Sequence, residues 1–340
     1  MISKKVILDC DPGSDDAIAM MLAMKSDAID LIGVTTVNGN RIVPKTTENA
    51  LRVVQFMKAS VPVYRGCEEP IICNEIPGRK PGLPRVTLND CRGDFLPLPE
   101  AEIRTEKEHA VFYLVKTLME SEGDIYVAAV GPLTNLAMAL RIEPKIAGKI
   151  KQLVIMGGGH CGANASPAAE FNFYADPEAA KIVMDSAIPK VILPLDATWR
   201  ACLSEEKCKE LAQLGTPEAK VAAALVQKRI DNLKVNDVSE HNYALRHQAG
   251  TVAGAMLYRY DNHMAPIHDA LAIAYLINEN VVTELADANV DIDIAGGLCD
   301  GRMVADFHNT KKSKDPVTAK VALNSDAGLF TDMLFAALGK

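Results

Sequence analysis

Near the start of the chain, VILDCDPGSDDA (residues 6–17) sets Asp9, Asp11, Asp15 and Asp16 directly after a short apolar run. A buried strand there gives way to a turn and then a helix, so the carboxylates crowd one strand end. Partial desolvation sharpens the repulsion between unpaired like charges. A hard cation relieves it, because Ca²⁺ and Mg²⁺ select clustered carboxylate oxygens. The competing reading is helix capping, in which Ser14 or Asp15 binds the exposed N–H groups of the new helix. Capping leaves Asp11 and Asp16 unexplained.

Two further stretches carry chemistry. In GGGHCGANASPAAEFNFYADPEAA (157–180), Asn164, Glu170 and Asn172 stand among small and apolar residues. Amide and carboxylate groups suit sugar hydroxyls, which both donate and accept. The alternative is a loop whose Asn and Glu satisfy its own backbone. In APIHDALAIAYL (265–276), His268 and Asp269 open a helix after a proline turn. They offer one more hard ligand and one general acid; Asp269 as a plain N-cap and His268 as a surface histidine are the alternatives.

The elements that must position these groups alternate in type. Strands are predicted at 5–10, 29–37, 124–131, 151–159 and 189–196, and helices at 15–24, 45–58 and 133–140. Another helix begins at Pro177 with Asp176 as its cap. A hairpin over 289–309, a strand VTAKVAL and a final helix follow. This order implies an α/β fold: an open, mostly parallel, Rossmann-like sheet flanked by helices. Residues 66–104 and 204–263 break the rhythm and are expected as loop and helical insertions over the carboxyl edge. Asp11–Asp16, Asn38–Asn40, Val130–Gly131, the turn at 157–159 and Asp196 all follow strand carboxyl ends, where open α/β sheets bind small molecules.

With 340 residues, 49% of them hydrophobic, and no linker-like or low-complexity tract, the chain is expected to form a single domain over 1–340. A net charge of −8 argues against nucleic acid and anionic membrane as partners. The opening MISKKVILDCD lacks the apolar core of a signal peptide, and no apolar run reaches transmembrane length. The eight cysteines lack CxxC spacing. A reduced, cytoplasmic protein is therefore expected.

The D-x-D-x-x-x-D-D pattern at 9–16, TTVNGN at 35–40, GPLTN at 131–135, the MGGG…AEFN…DPEAA block and the late His-Asp pair together resemble the nucleoside hydrolase family, the inosine–uridine-type N-ribohydrolases. VDIDIAGGL and MVADFHN extend the colinear match toward the end. The resemblance implies a ribonucleoside substrate and a Ca²⁺ site made by Asp11, Asp16, Asp269 and the backbone carbonyl of Val130. It implies Asp15 as the general base that takes a proton from a metal-bound water. Asn40, Asn164, Glu170 and Asn172 would hold the ribose hydroxyls, Asp9 would support the cluster, and His268 would protonate the leaving base. A homodimer or homotetramer is also implied. The chemistry agrees, since N-glycosidic cleavage develops positive charge on the ribosyl ring, which nearby carboxylates stabilise.

The chain departs from the family pattern on the base side. GRKPGLPRVTLNDCRGDF, with Arg79, Lys80, Arg85 and Arg92, replaces the usual histidine-containing loop. Thr198-Trp199-Arg200 stands where a THQ-like element is common, and Trp199 either stacks on a base or packs in the core. Tyr243, Tyr258, Tyr260, His241 and His263 are candidates to meet the base. Two other readings compete. An aspartyl-nucleophile phosphohydrolase also begins with strand-DxD but wants Thr or Val next, where this chain has Pro12-Gly13. A non-catalytic nucleoside-binding protein would be favoured by loss of Asp15 or Asp16, and both are present.

Overall fold

The computed structural model describes residues 3–72, 95–235, 263–310 and 317–340. A nine-stranded sheet runs through the described residues. Its strands are β1 (Lys4–Cys10), β2 (Ile29–Thr36), β3 (Val63–Arg65), β4 (Ile125–Ala129), β5 (Ile150–Met156), β6 (Lys190–Leu193), β9 (Val282–Ile292), β10 (Met303–Asp306) and β11 (Ala319–Ser325). A separate two-stranded ladder joins β7 (Cys202–Ser204) to β8 (Met264–Pro266). Across the large sheet the order is β10-β9-β11-β6-β5-β4-β1-β2-β3. Only β9 breaks the parallel arrangement, pairing antiparallel with β10 and β11.

The strand β1 pairs in parallel with β2 on one side and β4 on the other. The chain order therefore reverses beside β1, and the crevice between the ends of β1 and β4 is a topological switch point. The segments after β1 and β4 hold Asp11 and Val130. Strands buried on both faces read as continuous apolar runs; Val6, Ile7 and Leu8 of β1 are all fully buried.

Helix α1 (Ser14–Lys25) shows no amphipathic period, because Ala17–Ala23 are all buried. A helix apolar all round belongs in the interior. It packs on α2 (Val43–Phe56), α9 (Pro217–Val235), α10 (His268–Ile277) and α11 (Ala327–Leu338). Full burial of each of Ile18, Met20, Met21 and Leu22 contributes about 1.5–3 kcal/mol. That packing clamps the first turn of α1, with its two aspartates, at the sheet edge. Helix α10 is interior for the same reason, from Ala270 to Leu276.

The remaining helices are α3 (Ala110–Glu120), α4 (Thr134–Ile142), α5 (Phe171–Ala175), α6 (Pro177–Met184), α7 (Leu195–Thr198) and α8 (Glu205–Gln213). Pro177 takes the first position of α6, and Asp176 caps it by accepting from the Ala179 N–H at 3.1 Å, as predicted. The predicted helix at 45–58 lies at Val43–Phe56. Pro44 is tolerated at its start because the first helical N–H groups need no intrahelical partner. The sequence reading passed over α3, eleven residues long, as well as α5, β3, the β7–β8 ladder and α7, which are three to five residues long and too short for periodicity to register. No described helix is long and apolar enough to cross a membrane.

Candidate active site

The turn after β1 folds back on itself through side chains. Asp16 accepts from two backbone donors, the Asp11 N–H at 3.1 Å and the Gly13 N–H at 2.9 Å. Asn40, in the loop that follows β2, closes the same turn from the other side. Its N–H donates to Asp11 Oδ2 at 2.5 Å, and its Nδ2 donates to the Asp11 carbonyl at 3.2 Å and to Asp16 Oδ2 at 3.3 Å. Asn40 thus holds the carboxylates together in this arrangement.

Two glycines make room for the Asp11 carboxylate. A Cβ on Gly131 would lie 2.7 Å from Asp11 Oδ1. One on Gly39 would lie 2.7 Å from Asp11 Cγ, closer still to Oδ2, and 2.9 Å from Pro132 Cδ. Gly39 and Gly131 fall inside TTVNGN and GPLTN, so part of what those motifs encode is the absence of a side chain.

Beneath this turn, Asp9 is fully buried and accepts from Thr35 Oγ1 at 2.5 Å and Asn135 Nδ2 at 2.8 Å. Asn135 also donates to the Thr36 carbonyl at 3.0 Å and accepts from the Cys67 N–H at 2.8 Å. Through that network β1, β2 and α4 are locked at one level. Burial raises the Asp9 carboxyl to about 6, the two donors pulling it back.

At the start of α10, Asp269 is buried and faces the first turn of α1. Ligand atoms of Asp15, Asp16 and Asp269 all lie within 4.8 Å of one another. The helix cap is Ile267, so Asp269 is not the N-cap. His268 is buried, its Nδ1 2.8 Å from Thr198 Oγ1 at the end of α7. That contact fixes the ring from one nitrogen and rules out the surface-histidine alternative.

Arg229 is a residue the sequence reading missed. It reaches in from α9, 3% exposed, with Nη1 2.9 Å from Asp15 Oδ1 and 3.5 Å from Ser14 Oγ. Its signal was present as one arginine continuing the apolar row Ala219, Ala222, Val226 of an interior helix face.

The charges sort by surroundings. Burial, with repulsion from the neighbouring carboxylates, pushes Asp11 and Asp269 well above the usual carboxylate range, and Asp16 to about 6. Asp15 goes the other way: burial would raise it, but the charges of Arg229 and His268 hold it below its ordinary value. Buried oxygens that resist ionisation for want of counter-charge are a donor set that a hard cation stabilises. Asp15, Asp16 and Asp269, whose ligand oxygens lie within 4.8 Å of one another, are such a set, and Asp11 is tied to Asp16 through Asn40.

The third motif block supplies the wall beside Val130. Asn172 Nδ2 donates to the Val130 carbonyl at 2.8 Å and to the Met156 carbonyl at 3.0 Å. Glu170 caps α5, accepting from the Asn172, Gly158 and Phe173 N–H groups at 2.8, 2.8 and 3.2 Å. Burial raises Glu170 to about 7, those donors lowering it in part. Asn164 Oδ1 accepts from the Phe171 N–H at 2.8 Å, which makes it a loop brace. Asn164 and Glu170 thus satisfy their own loop's backbone, as the alternative reading expects, whereas Asn172 reaches carbonyls outside that loop. Asp196 holds the glycine turn by accepting from the His160 and Cys161 N–H groups at 2.7 and 2.9 Å.

On the base side, Trp199 is buried against Gly162, where a Cβ would lie 2.5 Å from its ring. That is the core alternative. His263 lies on the surface with Nδ1 3.6 Å from Glu205 Oε1. His241, Tyr243, Tyr258, Tyr260 and the basic residues Arg79, Lys80, Arg85 and Arg92 lie outside the described residues. Among the described residues, Cys10, Cys67, Cys161, Cys202, Cys208 and Cys299 are in no disulfide.

Known proteins resemble this chain in sequence and fold. The sequence profile of the inosine-uridine preferring nucleoside hydrolases matches residues 6–332. The pyrimidine-specific ribonucleoside hydrolase RihB of Escherichia coli O157:H7 is 36% identical over 337 residues, covering 97% of this chain and 95% of that one. Two solved structures superpose with a TM-score of 0.80 and 26% identity over 99% of this chain. They are the plant nucleoside hydrolase PpNRh1, 99% covered, and a purine-preferring ribonucleoside hydrolase from Gardnerella vaginalis, 98% covered. With its profile match running nearly end to end, the chain belongs to the inosine-uridine preferring nucleoside hydrolase family, enzymes that hydrolyse N-glycosyl bonds.

Proposed function

We propose that the chain, acting as one unit over 1–340, hydrolyses ribonucleosides to ribose and free base in a Ca²⁺-dependent reaction. The observation that carries this reading is the convergence of Asp15, Asp16 and Asp269 within 4.8 Å, with Asp11 tied to Asp16 through Asn40. Asp11, Asp16, Asp269 and the Val130 carbonyl would hold the ion. A carbonyl oxygen has two lone pairs, so the bond from Asn172 leaves Val130 able to ligate. When bound, Ca²⁺ supplies a Lewis acid that acidifies water and orients the ribose hydroxyls.

The protein's own residues do the rest. Asp15, kept ionised by Arg229 and His268, accepts the proton of the attacking water. Asn40, Asn164, Glu170 and Asn172 bind ribose hydroxyls with the capacity their backbone bonds leave over. The sugar so held meets the water in an effectively intramolecular attack. Positive charge developing on the ribosyl ring is stabilised by the surrounding carboxylates. His268, oriented through Nδ1 by Thr198, protonates the departing base from its other ring nitrogen. A reduced cytoplasmic homodimer or homotetramer completes the reading, and light scattering on the purified protein tests the assembly.

The names of the relatives divide between pyrimidine and purine, so the assay must span both. Ribose release from inosine, adenosine, guanosine, uridine and cytidine is measured with Ca²⁺ and after chelation. Release that chelation abolishes is expected. No release from any nucleoside with Ca²⁺ bound would overturn the hydrolase reading in favour of a binding protein.

A further inference from the structure

The polar side chains of α2 converge on one irregular stretch of chain, 95–103. Glu48 Oε1 accepts from the Ala101 N–H at 3.2 Å, and Gln55 Oε1 accepts from the Glu102 and Ile103 N–H groups at 2.6 and 3.3 Å. Arg52 donates to the Leu98 and Leu96 carbonyls at 3.1 and 3.4 Å, and its guanidinium lies 4.7 Å from the centre of the Phe95 ring. Pro97 and Pro99 stiffen the stretch, each fixing its own φ. Leu96 and Leu98 are buried.

Asn49 stands beside these residues on α2, 3% exposed, and is bonded at both ends. Its Oδ1 accepts from the Leu96 N–H at 2.8 Å, and its Nδ2 donates to the Pro12 carbonyl at 2.9 Å. A buried amide is stable only when its polar atoms are paired in this way. No motif that carries the family resemblance contains Asn49. The Pro12 carbonyl belongs to the same planar peptide unit as the Gly13 N–H. That N–H donates to Asp16 Oδ2 at 2.9 Å. Tilting the Pro12 carbonyl tilts the Gly13 N–H with it, so Asn49 braces one edge of the plane whose other edge holds the Asp16 carboxylate.

We propose that Asn49 is a positioning residue that couples the seating of 95–103 on α2 to the Asp16 carboxylate, so that the acidic turn is set for its cation only when that stretch is in place. The inference rests on the reading of Asp16 as a ligand. Asn49 acts through the Pro12–Gly13 peptide and not on the substrate.

The test uses the full chain with N49A, R52M and N49A/R52M, with N49S or R52Q replacing a variant that circular dichroism shows to be unfolded. Backbone hydrogen exchange at Gly13 and Leu96 is read by mass spectrometry on chelated protein, and Ca²⁺ is titrated by calorimetry. N49A is expected to exchange at least about tenfold faster at both positions, because Leu96 loses its acceptor and the Gly13 peptide its brace. Its Ca²⁺ affinity should fall at least about tenfold. R52M loosens 95–103 without touching the turn. It should weaken Ca²⁺ at least about threefold in the wild-type background and no further in N49A, as coupling through a shared residue requires. At saturating Ca²⁺ the kcat of N49A should return to within about threefold of the wild type, a rescue that a general loss of packing does not allow. Unchanged Gly13 exchange or unchanged Ca²⁺ affinity in N49A overturns the proposal, as does a kcat that stays low at saturating Ca²⁺. So does an R52M effect on Ca²⁺ that is absent, or equally large in N49A. If the wild type binds no Ca²⁺, the ligand reading of Asp16 fails. Gly13 exchange, faster in R52M but no faster in N49A/R52M than in N49A, then still decides whether Asn49 carries the coupling. The exchange and the titration do not depend on ribose release, so a failure of the hydrolase reading shows separately.

Discussion

Gly39→Ala adds one methyl group and should cripple the site. The added carbon would sit 2.7 Å from Asp11 Cγ and 2.9 Å from Pro132 Cδ, well inside van der Waals contact. Pro132 follows Gly131 at the end of β4 and cannot yield easily, so the Asp11 carboxylate must move. Moving it breaks the bond from the Asn40 N–H, 2.5 Å long, and a lost hydrogen bond to a charged group costs about 1.5–3 kcal/mol. Strain from the overpacked contact adds about 1–3 kcal/mol. Gly39 does not use the left-handed backbone region, so the substitution acts through contact and not through φ. With a ligand displaced, Ca²⁺ affinity should fall at least tenfold, which is about 1.4 kcal/mol of that total. Calorimetric titration with Ca²⁺ reads this directly, with ribose release as the second readout. Gly297→Ala is the control, because a Cβ there meets nothing within 4 Å. Wild-type Ca²⁺ affinity and turnover in Gly39→Ala would refute the cradle argument and place Asp11 outside the ligand set.

Three other expectations follow from the site. Asp15→Ala should nearly abolish turnover while sparing Ca²⁺ binding; retained turnover would remove Asp15 from the role of base. His268→Ala should slow nucleosides with poor leaving groups more than activated aryl ribosides, and Thr198→Val should reproduce part of that pattern, whereas equal losses across substrates would count against an acid role. The third concerns pH. Glu170 has its folded pKa raised from 4.5 to about 7, so its protonation stabilises the fold fully below about pH 4.5, and that contribution is lost as pH rises toward 7. The loss is about 3 kcal/mol, and Asp176, raised to about 6, acts in the same direction. The Tm of chelator-treated protein should therefore fall between pH 5 and 7.5 and fall less in Glu170→Gln; a flat or rising Tm would contradict the assigned burial.

The sequence by itself determined the alternation of elements, the parallel sheet and the strand ends where the polar clusters fall. Those follow from short-range periodicity and from residues that terminate elements, such as Pro177 with Asp176. It also placed Asp11, Asp15, Asp16 and Asp269 in one site, because the pattern of motifs is colinear with a known family. Tertiary structure alone decided what each side chain does. Asn164 reads the same in sequence as Asn172, but it braces its own loop while Asn172 grips the Val130 carbonyl, and only the path of the loop separates them. For Asp269 the residues alone left a plain N-cap open beside the ligand role, and the packing of α10 on α1, which faces it to the cluster, removes the cap. The apolar row of α9 marks Arg229 as unusual, but not what it meets, because Ser14 and Asp15 are more than two hundred positions away in the chain and no local pattern links α9 to the first turn of α1. Ion pairs and steric cradles are made between segments, so they enter only when the sheet brings those segments together.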